Sequence, residues 1–133
     1  MAYLVGAALA LAVSLLATLV GFDRDRAFYP TLLMVIASYY VLFAVMGAAP
    51  GALARESVVL AGFLLVSILG FKRNLWVLAA GLCAHGLLDL GHAHLIANPG
   101  VPAWWPAFCL TYDVAAGTYL AWRLSRSQIE AKP

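Results

Sequence analysis

Apolar positions along this chain gather into five long runs, separated by brief polar breaks. The runs cover residues 2–22, 28–48, 57–71, 75–96 and 107–124. The breaks read "DRDR" at 23–26, "AAPGALARE" at 48–56, "KRN" at 72–74 and "ANPGVPAWWP" at 97–106, and "SRSQIEAKP" closes the chain. A helix needs about 20 predominantly apolar residues to cross a hydrocarbon core of ~30 Å, and most of these runs have that length. The third run is short unless it borrows "GALA" from the break before it. The pattern predicts an all-α bundle of about five transmembrane helices, with four spans and a re-entrant third segment as the alternative. One transmembrane domain over 1–126 and a short polar tail over 127–133 complete the expected organisation.

Composition sharpens this reading. The 133 residues are 65% hydrophobic and 11% charged, with a mean hydropathy of +0.93, whereas soluble domains are about a quarter charged. A net charge of +2 is too small to argue for a nucleic-acid partner. Membrane lipids are the expected surroundings, and a small-residue helix face is a surface that a homo-oligomer could use. The first run has no Lys or Arg ahead of Arg24, so it lacks the basic start of a cleaved signal peptide and is expected to be a retained helix.

The basic residues predict an orientation. With five spans, Arg24, Arg26, Lys72, Arg73, Arg123, Arg126 and Lys132 lie on one side and Arg55 alone on the other. The positive-inside rule then puts the amino terminus outside and the carboxyl terminus in the cytoplasm. Trp104 and Trp105, between Pro102 and Pro106, fall at the outer interface, where aromatic rings concentrate. Short connections predict that consecutive helices pack as antiparallel neighbours.

Candidate chemistry sits in "CAHGLLDLGHAHL", residues 83–95. At about 100° per residue, His85, Asp89 and His92 lie within about 60° of one helix face. His94 falls off that face and reads as structural or interfacial. Gly81 continues the stripe and admits a close neighbour. In the fifth run Cys109, Asp113, Ala116 and Gly117 share a face, forming a small-residue groove beside an acid, and Asp113 should lie at the depth of Asp89.

Ionisable groups in a span are costly, face inward and usually mark function. Two imidazoles with one or two carboxylates match the ligand set of zinc, or of iron or manganese if more oxygens join. His85, Asp89, His92 and Asp113 are therefore the candidate metal ligands, for zinc or another divalent ion. Asp89 and Asp113 are also the candidate catalytic acids, one as ligand and the other as general base. An open metal position would activate water for hydrolysis of a lipid or other apolar substrate. The alternatives are a metal-free proton- or ion-handling carrier and a structural subunit whose polar cluster only locks two helices. Haem ranks low, because all three histidines are on one run and bis-histidine ligation needs two facing helices.

Other features read as structural. Cys83 and Cys109 are taken as buried thiols, "DRDR" as a local salt-bridged loop, and Arg55 and Glu56 as an outer-surface pair. Tyr39 and Tyr40 read chiefly as core packing, with one of them able to reach the histidine cluster, and Met34 and Met46 as core filler.

The stretches "FDRDRAFYPTLLMVIASYYVLFAVMG", "GFKRNLWVLAAG" and "NPGVPAWWPAFCLTYDVAAG" resemble a family of small bacterial membrane proteins defined as a domain of unknown function. The resemblance covers residues 21 to about 122. It implies a protein of the bacterial inner membrane and carries no mechanism.

Overall fold

The computed structural model describes residues 1–133 and contains five helices and no strands. They are α1 (Ala2–Val20), α2 (Phe28–Met46), α3 (Pro50–Lys72), α4 (Trp76–Leu95) and α5 (Trp105–Ser125). Each of the five apolar runs supplies one helix. The largest departure is α3, which begins at Pro50 and runs unbroken for 23 residues. Proline suits that first position, because its fixed φ is helical and its missing N–H would have no partner there. The "GALARE" segment is thereby helical, and Glu56 is carried into the bundle.

Three of the helices, α1, α2 and α3, are long and apolar enough to cross a membrane. The other two are of similar length but carry His85, Asp89, His92 and Asp113, all buried. Large apolar side chains point outward on every helix, among them Leu16 on α1, Leu42 on α2, Leu65 on α3, Leu90 on α4 and Trp122 on α5. A water-soluble protein rarely presents apolar surface so extensively.

The helices pack in the order α1, α5, α4, α3, α2, and α2 also meets α4. Consecutive helices are neighbours from α2 onward, as their short connections require. The first helix breaks that rule: it packs on α5 and not chiefly on α2. Gly6 lies against Phe108 and Thr111, and Thr18 hydrogen-bonds Tyr119 at 3.1 Å, so α1 and α5 run parallel. A Cβ at Gly6 would collide with the Phe108 carbonyl, so that crossing depends on a small residue.

At the end where α1, α3 and α5 finish, polar residues clamp the bundle. α1 stops at Gly21, whose φ of 91° is a left-handed cap that costs glycine little. Asp23 then turns inward to full burial, accepting from Thr18 at 2.9 Å and pairing with Arg123 at 3.4 Å. Arg26 donates to the backbone carbonyls of Phe71 and Glu130. The expected self-contained salt bridge within "DRDR" is thus replaced by links to α3, α5 and the closing residues. Those residues fold back as well: Ile129 is buried and the Ala131 carbonyl accepts from Leu75 N at 2.8 Å.

At the opposite end, the connection between α4 and α5 lies tightly on the end of α2. Gly100 faces the Phe43 carbonyl and Gly47 so closely that neither glycine position has room for a Cβ. This contact fixes the height of Asn98, which is used in the site.

Candidate metal centre

The core between α4 and α5 is assembled on glycines. A Cβ at Gly86 would lie 2.9 Å from the Leu110 carbonyl and 3.1 Å from Asp113 Cβ, and one at Gly117 would lie 2.9 Å from the Ala79 carbonyl. The small-residue face expected on the fifth helix therefore does receive α4, in antiparallel register. Close approach of the backbones places His85 beside Asp113.

His85 Nδ1 is hydrogen-bonded to Asp113 Oδ2 at 2.6 Å and stands 3.9 Å from Asp89 Oδ2. Cys109, one turn before Asp113 on α5, completes the group. One ligand atom from each of His85, Asp89, Cys109 and Asp113 falls within 4.8 Å of all the others. All four residues are buried: His85 is 1% exposed, Asp89 3%, Cys109 1% and Asp113 0%. Asp89 Oδ2 and Asp113 Oδ1 are both buried without a hydrogen-bond partner. Two carboxylate oxygens in that state, on residues of one four-donor group, call for a cation or shared protons, because an unpaired buried charge is very costly. An ion with bonds of ~2.0–2.3 Å spaces tetrahedral donors roughly 3.3–3.8 Å apart; to take one, this group would draw in from its 4.8 Å limit and open the 2.6 Å His85–Asp113 contact.

His92, read from sequence as a fourth ligand, lies outside this group. Its Nε2 stands 2.8 Å from Glu56 Oε1, and Asn98 Nδ2 donates to the same oxygen at 2.9 Å and to the Tyr40 carbonyl at 3.0 Å. Glu56, read from sequence as a surface residue, is 2% exposed; the early start of α3 turned it inward. His94 is exposed and clear of the site.

Tyr40 joins the two clusters, which corrects the packing reading for that residue. Its hydroxyl donates to Asp89 Oδ1 at 2.5 Å, and its ring stacks on His92 with centroids 4.1 Å apart. Tyr39 turns the other way, onto Phe43 and Trp105. Phe63 of α3 closes the far side with its ring edge-on to His85 at 4.7 Å. Toward the other end of the bundle the site stops at a plug of Leu33, Leu78, Leu82 and Leu120, all fully buried.

Two cavities approach the group. One of about 220 Å³, at the Asn98 end, is lined by His92, Asn98, Pro102 and Pro106 among others. A second, of about 280 Å³ and mostly apolar, opens where α1 leaves α2 uncovered and reaches Cys109 past Ile36 and Tyr112.

Compared with protein-family models, curated proteins and solved structures, the chain matches none.

Proposed function

We propose that this chain is an integral membrane protein of the bacterial inner membrane that holds a divalent metal, zinc foremost, in the group formed by His85, Asp89, Cys109 and Asp113. The observation that carries the reading is the pair of buried, unpartnered carboxylate oxygens within a four-donor group. One imidazole nitrogen, one sulfur and two oxygens suit zinc, whereas a site for magnesium or calcium is built from oxygen alone. The orientation follows the charges: seven of the eight basic residues belong to the clamped end, which is then cytoplasmic. The metal site lies in the outward half.

Binding ranks ahead of hydrolysis. Four protein donors fill a tetrahedral ion, and a catalytic zinc keeps one position for water. A hydrolase acting on a lipid or other apolar substrate requires one donor to yield; Asp89, held at Oδ1 by Tyr40, is the residue placed to become the base. The apolar cavity ending at Cys109 is the route an acyl chain would follow. The metal-free carrier reading is favoured by one feature, the closed His85–Asp113 hydrogen bond. The leucine plug counts against a continuous path.

The deciding test is metal content by mass spectrometry on protein purified in detergent without chelator, beside His85→Ala and Cys109→Ala variants. One bound metal per chain in the wild type, lost in both folded variants, is the expected result. A metal-free wild type that also takes up no added zinc would overturn it.

A further inference from the structure

The second buried cluster has no role in holding the metal, yet its composition is unusual for helix packing alone. Glu56 is buried at 2% exposure, and its Oε1 is hydrogen-bonded to His92 Nε2 and accepts from Asn98 Nδ2. His92 and Asn98 also line the cavity of about 220 Å³ at that end of the bundle. An imidazole and an amide therefore stand between an opening and the enclosed group, with the Glu56 carboxylate bonded directly behind them. Tyr40 links the two clusters, stacked on His92 and bonded to Asp89.

We propose that Glu56, His92 and Asn98 form the entry site through which a divalent cation reaches the group of His85, Asp89, Cys109 and Asp113, with Tyr40 as the gate. This rests on the metal-binding reading. The cavity at Cys109 presents no metal donor besides the thiol and hydroxyl groups at its wall, and the leucine plug lies in the opposite direction, so the Asn98 end is the approach lined with donors for a hydrated ion. At that end Glu56 supplies the negative charge that draws the cation in, and His92 and Asn98 replace waters as it sheds its shell. Rotation of Tyr40 about its side-chain bonds would withdraw the ring from His92 and the hydroxyl from Asp89 together. Asp89 Oδ1 is thereby freed as the ion arrives.

Cobalt uptake tests this, because a cobalt–thiolate bond to Cys109 produces a charge-transfer absorption as the inner site fills. Metal-free wild-type protein and the Glu56→Gln and Asn98→Ala variants are mixed with Co²⁺ alone, and both the rate and the final stoichiometry are read. Charge focused at a cleft raises on-rates by about 10–10³-fold, and the Glu56 carboxylate lies directly behind the lining residues His92 and Asn98, so Glu56→Gln should fill about tenfold more slowly. Asn98→Ala should be slowed less, and both should reach the wild-type endpoint. Uptake at the wild-type rate in both variants would overturn the entry site and leave the metal reading intact. A lowered endpoint in both folded variants would also overturn it, by making Glu56 part of the holding group. If the wild type binds no cobalt, the metal reading fails and the entry site with it. Should Glu56→Gln fail to fold, the comparison is decided on Asn98→Ala.

Discussion

Tyr40 and Asp89 meet through a hydroxyl-to-carboxylate hydrogen bond of 2.5 Å, and that contact makes one system of two buried clusters. Tyr40→Phe keeps the stack on His92 and removes the donor. A buried acceptor left without its partner costs about 1–3 kcal/mol, so the variant should unfold at lower temperature in detergent. Asp89 Oδ1 is also released, so metal exchange should be faster than in the wild type. Unchanged stability together with unchanged exchange would remove Tyr40 from both roles.

Cys109→Ser replaces a soft donor by a hard one at nearly constant volume. Zinc affinity should fall by more than manganese affinity, because thiolate favours zinc. The cobalt charge-transfer band should vanish even where cobalt still binds. A retained band would show that the sulfur is not a ligand.

Gly86 and Gly62 make a matched pair of glycines. A Cβ at Gly86 would press on the Leu110 carbonyl at 2.9 Å, whereas nothing lies within 4 Å of one at Gly62. Gly86→Ala should cost about 1–3 kcal/mol by overpacking and weaken metal binding, since it pushes His85 away from Asp113. Gly62→Ala should leave binding unchanged and hold or slightly raise stability. Thermal unfolding and zinc titration of the two variants check this directly.

Arg123 and Asp23 are paired at 3.4 Å, with the Asp23 side chain fully buried. Removing one member of a buried pair costs about 3–5 kcal/mol, and much less is lost when both go. Arg123→Leu should therefore be more damaging than the Asp23→Asn, Arg123→Leu double variant. Additive losses in a double-mutant cycle would mean that the pair is not coupled.

The helical periodicity of the fourth run was sufficient to bring His85, Asp89 and His92 to one buried face, and the small residues of the fifth run foretold where that face would dock. The ligand group itself was less legible. Cys109 lay on the right face, but a thiol in an apolar run reads as packing until its neighbours are known. Glu56 was hidden by a boundary: with the third helix begun at Ser57 it falls in a loop, whereas Pro50 as first helical residue turns it inward. Pairing of α1 with α5 was not readable from loop lengths, because nothing local marks Gly6 as the partner of Phe108. Tyr39 and Tyr40 are adjacent in sequence, and only the tertiary packing of α2 separates the ring that meets Trp105 from the one that meets Asp89.

The parallel packing of α1 on α5 has a consequence for how the protein is made. α1 is made before α2, α3 and α4 but finds its principal partner in α5, so its Gly6 face waits uncovered until α5 has been made. The α2–α3–α4 portion can gather earlier, with Glu56 and His92 already in place. Cys109 and Asp113 arrive only with α5, and the four-donor group is therefore completed in the same step that seats α1.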